Sequence, residues 1–261
     1  MIEPALLQVR GLCKTYQNRT GLFRRQAVEA IKPLSFDLGV GQTLAIVGEA
    51  GSGKSTLARI LAGMIEPSGG EIAIEGQPLV HGDYQTRCKL LRMIFQDPNT
   101  SLNRKIRVGQ ILETPLRLNT ALSEEERREK VIQTLRMVGM LADHALFYPQ
   151  MLSAGQQQRV GLARALILNP KIVVADEALS TLDISVRSQI INLLLKLQQE
   201  LGIAYVIVAN DLGLVRHISD KVIVMHQGKV VESGETQQVF AAPQHEVTKR
   251  LIQSYGHEYR R

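Results

Sequence analysis

The sequence contains only two cysteines, Cys13 and Cys88, which lie far apart and form no Cys-x-x-Cys motif. Free thiols in a reducing cytosol are therefore the simplest expectation. Long hydrophobic runs are also missing, because no apolar stretch reaches the length of a membrane span although 44% of the residues are apolar. We therefore expect a soluble chain. The N-terminus has no basic segment followed by an apolar one, so no signal peptide is expected.

Metal-binding histidine motifs are missing as well. None of the six histidines shows a spacing such as His-Glu-x-x-His, which argues against a histidine-bound metal ion. The net charge of +6 allows an acidic partner, either nucleic acid or the anionic face of a membrane, and does not choose between them. With 261 residues, the chain can form one large or two small domains around a buried core.

The pattern G-x-x-x-x-G-K-[ST] of a phosphate-binding loop occurs at residues 48–56. Residues 43–47 before it are typical of a buried strand, and residues 57–62 after it have apolar side chains at helical spacing. Glycines let successive N–H groups converge on one point, and the helix N-terminus adds partial positive charge there. Lys54 is expected to reach the β- and γ-phosphates, and the Ser55 hydroxyl to ligate Mg²⁺. The predicted nucleotide-binding residues here are Gly48, Glu49, Ala50, Gly51, Ser52, Gly53, Lys54, Ser55 and Thr56.

Two carboxylates follow a second buried strand, which the apolar run at residues 172–175 predicts. Asp176 and Glu177 would be costly at the end of such a strand unless a cation or water met them. With a phosphate-binding loop upstream, Asp176 is predicted to meet Mg²⁺ through water, and Glu177 is a candidate base for a hydrolytic water.

Residues 106–150 change to a helical character, with a capping box at residues 123–126. We predict that residues 97–155 form a helical subdomain inserted into an α/β core made of residues 1–96 and 156–261. A break at residues 152–156 precedes another helix, whose N-terminus suits an anion. Gln96 is predicted to stand at the end of a short strand, directly before the insertion.

These motifs together resemble the ATP-binding subunits of ABC transporters, over nearly the whole chain from about residue 7 to about residue 251. The loop at 48–56 corresponds to Walker A, 152–156 to the signature loop, 172–177 to Walker B and 180–183 to the D-loop. Walker A alone would leave kinases, GTPases and helicases open. The resemblance implies a P-loop NTPase core of the α/β class with a mostly parallel sheet, an N-terminal antiparallel β subdomain and an inserted α-helical subdomain.

The resemblance also implies roles for single residues. Tyr16, which the sequence alone leaves as either an adenine-stacking or a core tyrosine, corresponds to the aromatic that stacks on adenine. Gln96 corresponds to the Q-loop glutamine, which touches Mg²⁺ and the attacking water and connects to the membrane subunit. Glu177 corresponds to the catalytic base, and Asn210 takes the position of the switch histidine. The residues of the signature loop are implied to act on the nucleotide of a partner subunit: Ser153, Ala154, Gly155 and Gln156. Asp183 of the D-loop is a further nucleotide-binding residue that the resemblance implies.

The implied assembly is a head-to-tail pair of ATPase subunits with two integral membrane permeases. In this assembly the ATPase subunits are peripheral, at the cytoplasmic side of the bacterial inner membrane, and a substrate-binding protein can take part. Residues 96–103 and 243–251 resemble ATPases of oligopeptide and dipeptide transporters, and within them the Sap-type systems for peptide uptake or antimicrobial-peptide resistance. Putrescine export is the alternative cargo. Because no cysteine follows Cys88, no iron–sulfur cluster is expected.

Two positions depart from the family pattern. Asn210 replaces a histidine and carries no positive charge, and Ala154 replaces a glycine, which would strain the backbone if φ were positive there. We therefore expect this subunit to pair with a different ATPase, so that the two ATP sites are unequal. A catalytically weak regulatory subunit is one alternative. An ABC-type ATPase acting on nucleic acid is another, although it would need a coiled-coil insert or a second cassette, and no nucleic-acid partner is expected.

Overall fold

The computed structural model describes residues 5–20, 24–95, 101–180 and 182–258. The chain divides into two compact units. The first contains residues up to Tyr84 and from Ala204 onward, and the second contains Gln85–Ile203. The helical insertion predicted at residues 97–155 falls within the second unit, and its boundaries stay a prediction.

An antiparallel sheet forms the N-terminal part of the first unit. Its strands are β1 (Leu7–Thr20), β2 (Arg24–Leu38), β4 (Gly69–Ile74) and β5 (Gln77–Pro78), in the order β2-β1-β4-β5. The alternation at residues 7–9 suggests an edge strand, which is wrong, because β1 pairs with β2 on one side and β4 on the other. Leu7 and Val9 are fully buried on one face. The polar and basic composition of residues 18–26 suggests a hairpin loop, but residues 18–20 and 24–26 belong to the strands β1 and β2. Residues 21–23 lie outside the described ranges.

A second group of strands in the first unit has the order β10-β9-β3-β8. These are β3 (Thr43–Gly48), β8 (Ala204–Val208), β9 (Lys221–His226) and β10 (Lys229–Glu235). Strand β3 runs parallel to β8 and β9, and β10 is antiparallel to β9. Strand β8 is buried throughout, and β3 up to its last residue, which explains their unbroken apolar sequences.

Among the described residues of the first unit, four segments form helices. They are α1 (Lys54–Leu61), α7 (Leu212–Ile218), α8 (Thr236–Ala241) and α9 (Glu246–Glu258). Helix α1 follows β3 directly after the phosphate-binding loop, as the sequence predicts. Helix α7 is not predicted from the sequence, because seven residues are too few to display a helical period clearly.

The second unit is mainly helical. It contains the parallel strands β6 (Leu91–Ile94) and β7 (Ile172–Asp176), with α2 (Tyr84–Leu90) leading into β6. Its longer helices are α3 (Val108–Asn119), α4 (Glu124–Met137), α5 (Ala154–Leu166) and α6 (Ile184–Leu201). Two short 3-10 helices, Ala142–Leu146 and Pro149–Met151, connect α4 to α5.

The start of α4 confirms the predicted capping box. The Ser123 hydroxyl accepts a hydrogen bond from the Glu126 amide at 3.3 Å, and the Glu126 carboxylate accepts one from the Ser123 amide at 2.6 Å. Hydrogen bonds from the backbone and side chain of Ser123 lower the pKa of the Glu126 carboxyl, because they favour its charged form. Within the described parts of the chain, no helix is long and apolar enough to cross a membrane.

Candidate nucleotide site

The phosphate-binding loop is shaped by two glycines that no other residue could replace. Gly48 ends β3 with φ +148°, and a Cβ atom there would collide with the carbonyl oxygen of Met225 on β9. Gly53 precedes α1 with φ +105°, and its Cβ would lie 2.5 Å from the carbonyl oxygen of Ala30. Because both clashing atoms are backbone atoms, neither position can take a side chain. No side chain at these two positions therefore covers the backbone amides of the loop.

Lys54 is the first residue of α1 and is only 5% exposed. Its Nζ donates hydrogen bonds to the carbonyl oxygens of Gly48 at 2.8 Å and Glu49 at 2.9 Å, which places the ammonium group in the curve of the loop. The Ser52 hydroxyl is buried and has no hydrogen-bond partner among the described residues. A buried hydroxyl without a partner, a lysine and a glycine cradle fit the oxygens of a polyphosphate.

The edge of the sheet that carries the loop also carries Asn210. Strands β3 and β8 are parallel with Ile46 opposite Val208, so Gly48 and Asn210 each lie two residues beyond this pair. Asn210 is exposed. The Asp211 carboxylate next to it accepts hydrogen bonds from the amides of Gly213 at 2.9 Å and Leu214 at 3.1 Å. Asp211 thereby caps the N-terminus of α7, directly after Asn210. The structure therefore brings the predicted switch residue and the loop to one edge of the first unit.

Tyr16 lies on β1 in the first unit and is partly exposed, so it is not a core tyrosine. The Nζ of Lys14 stands 5.1 Å from the centre of the Tyr16 ring, within the range of a cation–π contact. The same Nζ donates a 2.6 Å hydrogen bond to the carbonyl oxygen of Glu66. One face of the ring is thus occupied by an anchored lysine. Stacking of adenine on Tyr16 stays a prediction.

In the second unit, β7 ends at the buried Asp176 and is followed by Glu177. Glu177 has φ +50°, a left-handed conformation that is uncommon for a residue with a side chain. Its carbonyl oxygen accepts hydrogen bonds from the Ser180 amide at 3.1 Å and hydroxyl at 2.7 Å, and this turn maintains the conformation. Backbone strain of this kind clusters at functional sites, which agrees with the predicted role of Glu177.

The signature loop forms the N-terminus of α5. The Ser153 hydroxyl accepts a hydrogen bond from the Gln156 amide at 3.3 Å, and the Gln156 side chain accepts one from the Ser153 amide at 3.0 Å. The serine hydroxyl keeps its own proton to donate. Ala154 is the first helical residue and its φ is not positive, so the strain considered for this substitution does not arise.

Gly155 is a position where the signature loop meets another helix. A Cβ there would lie 2.7 Å from Cγ1 of Val186 in α6. Asp183 caps α6 by accepting a hydrogen bond from the Val186 amide at 2.9 Å. The signature loop and Asp183 are therefore neighbours around Val186 in the second unit.

Sequence reasoning missed Gln158, a buried side chain in α5. Its amide group donates a 2.8 Å hydrogen bond to the carbonyl oxygen of Ala178, and so connects the signature helix to the turn after Glu177. The sequence did carry a signal for its burial, because Gln158 lies four residues before the apolar Leu162 and therefore on the same face of the helix. Gln96 and Thr181 lie outside the described residues, so the role of Gln96 stays a prediction.

A family model described as "ABC transporter" matches residues 31–180, more than half of the chain. This chain belongs to the ABC transporter family. The cassette is 62% identical to the "putrescine export system ATP-binding protein SapF" of Escherichia coli K12, over 97% of this chain and 94% of that protein. It is 60% identical to the "peptide transport system ATP-binding protein SapF" of Salmonella typhimurium LT2, over the same shares. The predicted resemblance to Sap-type ATPases is thereby confirmed.

Solved structures confirm the predicted fold class. The dimeric ATP-binding cassette MJ0796, in a post-hydrolysis state with ADP and phosphate, covers 88% of this chain and 98% of its own. The TM-score is 0.76 at 30% sequence identity. Together with family membership, this similarity identifies the cassette as an ATPase that binds nucleotide.

Proposed function

We propose that this cassette is the ATP-hydrolysing subunit of a Sap-type peptide transporter. The proposal depends on one observation: both motifs that contact the nucleotide in ABC ATPases are formed. Lys54 is held within the phosphate-binding loop of the first unit, and Ser153 caps the signature helix of the second. A peptide cargo is supported by the name of the Salmonella typhimurium relative. Putrescine export is the second candidate, supported by the name of the Escherichia coli relative.

The loop residues bind the triphosphate in this proposal. Lys54 and the loop amides hold its oxygens, and the buried Ser52 hydroxyl supplies a further hydrogen bond. Ser55, Gln96 and Asp176 are the proposed ligands of Mg²⁺, directly or through water, and their hard oxygen atoms suit that ion. Bound Mg²⁺ would neutralise charge that develops on the phosphates. Glu177 accepts a proton from the attacking water, and Asn210 donates a hydrogen bond to the γ-phosphate.

The proposed partners are a second ATPase subunit and two integral membrane permeases. The two ATPase subunits would bind the permeases at the cytoplasmic face of the inner membrane. In a head-to-tail pair, Ser153, Ala154, Gly155, Gln156 and Asp183 of one subunit would close over the nucleotide of the other. A second helix N-terminus there supplies donors and excludes water.

Purification of the tagged chain from gently solubilised membranes tests this assembly. Recovery of integral membrane subunits with a second ATPase is expected. Recovery of nucleic acid with a steep salt dependence would instead favour an ATPase acting on nucleic acid. Reconstituted complexes supplied with labelled peptides or labelled putrescine then decide the cargo, because only the transported compound accumulates in an ATP-dependent way.

The two ATP sites of the assembly are proposed to be unequal because Asn210 lacks the positive charge of histidine. We expect Asn210→His to raise the hydrolysis rate at this site by about tenfold, a fraction of the 10²–10³ that a lost transition-state donor costs. In the complete complex, Glu-to-Gln changes made in one ATPase subunit at a time should reduce turnover unequally. Equal losses would contradict the asymmetry.

Tyr16 is expected to stack on adenine. Tyr16→Ala should therefore weaken MgATP binding by about tenfold, since stacking of a base on an aromatic ring contributes about 1–3 kcal/mol. Inorganic triphosphate, which has no base, should bind the variant and the unmodified chain equally well in calorimetric titrations. A parallel loss of triphosphate binding would show that Tyr16 supports the fold and not the base.

A further inference from the structure

The second residue of the phosphate-binding loop, Glu49, carries a carboxylate that faces two basic side chains. Its Oε2 lies 3.3 Å from Nδ1 of His226, at the end of β9. Its Oε1 lies 3.8 Å from a guanidinium nitrogen of Arg250, in helix α9. The Glu49 side chain is 47% exposed, and the Arg250 side chain 64%. A carboxylate in a loop that binds a triphosphate repels that ligand. Basic side chains beside the Glu49 carboxylate would reduce this repulsion.

Helix α9 is held firmly enough to place Arg250. The carboxylate of Glu232 on β10 accepts hydrogen bonds from the amides of Gln244 at 2.8 Å and His245 at 3.0 Å, directly before the helix begins. Burial by itself raises the pKa of this carboxyl, but the nearby Thr248 side chain, the hydrogen bonds from the two amides and the charge of His245 lower it overall. Val247 and Thr248 are buried.

The expected size of the effect follows from Coulomb's law. At a separation of about 10 Å in water, one pair of unit charges changes an affinity by about twofold. Several phosphate charges act on Glu49 together, and physiological salt screens part of the interaction, which leaves about threefold for the whole triphosphate. A threefold change in affinity is also within the range of free energies that exposed ion pairs contribute, about 0–1 kcal/mol.

We propose that Arg250, assisted by His226, is a positioning residue that holds the Glu49 carboxylate toward β9 and α9 and neutralises it. The C-terminal helix thereby sets the affinity of the loop for nucleotide. Arg250 acts through Glu49 and touches no reacting atom. This inference rests on the proposed binding of the triphosphate in the Lys54 loop.

The test compares single and double variants of the full-length chain by MgATP titration. Arg250→Gln is expected to raise the dissociation constant about threefold at physiological salt, by more at low salt and by little in about 0.5 M salt. Arg250→Lys should retain near-normal affinity. In a Glu49→Gln background, whatever its own affinity, adding Arg250→Gln should change the dissociation constant no further. In steady-state assays Arg250→Gln should raise KM and leave kcat unchanged.

Lys249→Gln is the matched control, because Lys249 neighbours Arg250 on the same helix but pairs with Glu246 at 2.9 Å. Equal effects of Arg250→Gln and Lys249→Gln would overturn the proposal in favour of a general field of the helix. Persistence of the Arg250→Gln effect in the Glu49→Gln background would also overturn it. Failure of the unmodified chain to bind MgATP would instead overturn the assignment of the loop itself.

Discussion

Glu177→Gln is expected to reduce MgATP hydrolysis by at least about 100-fold, the contribution typical of a general base. The amide that replaces the carboxylate has the same shape but cannot accept the proton of the attacking water. Backbone strain at φ +50° should be unchanged, because Glu and Gln tolerate the left-handed region equally poorly. MgATP binding should therefore persist, and steady-state hydrolysis beside nucleotide titration measures both quantities on one preparation.

Glu200→Gln provides the control for Glu177→Gln. Glu200 lies in α6 of the same unit and forms an exposed ion pair with Lys196 at 3.7 Å, far in sequence from the nucleotide motifs. Its loss should leave hydrolysis unchanged, because exposed pairs contribute little. If Glu177→Gln retained more than about one tenth of the turnover, Glu177 would not be the base that this magnitude requires.

Strong local signals in the sequence predicted the strand, loop and helix at residues 43–61 and the capping box of α4 correctly. Residues 43–56 combine a buried strand, glycines and a helix start within one continuous segment, and the structure has each of them. Ser123 likewise caps α4 through Glu126, three residues away, as predicted. Patterns that are completed within a few residues need no knowledge of the rest of the fold.

Features that depend on distant parts of the chain were not predictable in this way. The alternation at residues 7–9 shows which face of β1 is buried, but it does not show how many strands pair with it. The partners of Glu49 lie on β9 and α9, and no local pattern connects either to the loop. Gly155 lies against Val186 of another helix, which leaves no space for a Cβ atom. This reason for a glycine in the signature motif is visible only in the structure.

Gly155→Ala is the change in the signature helix that should be tolerated least. The added Cβ would lie 2.7 Å from Cγ1 of Val186, and the branched side chain of Val186 cannot turn away at low cost. Overpacking of this kind costs about 1–3 kcal/mol of stability. Relief of the clash would displace the Ser153 cap from its position. Since a misplacement of about 1 Å can cost 10²-fold in rate, hydrolysis should fall by up to about 100-fold.

Gly161→Ala in the same helix is the matched control for Gly155→Ala. A Cβ added at Gly161 would meet no atom of a neighbouring element within 4 Å, and alanine favours a helix over glycine by about 1 kcal/mol. This variant should therefore unfold at a higher temperature and hydrolyse ATP normally. Gly155→Ala combined with Val186→Ala should recover much of the lost hydrolysis, because the second change removes the atom that clashes. Failure of Val186→Ala to restore activity would mean that Gly155 is required for its bare backbone and not for its contact with α6.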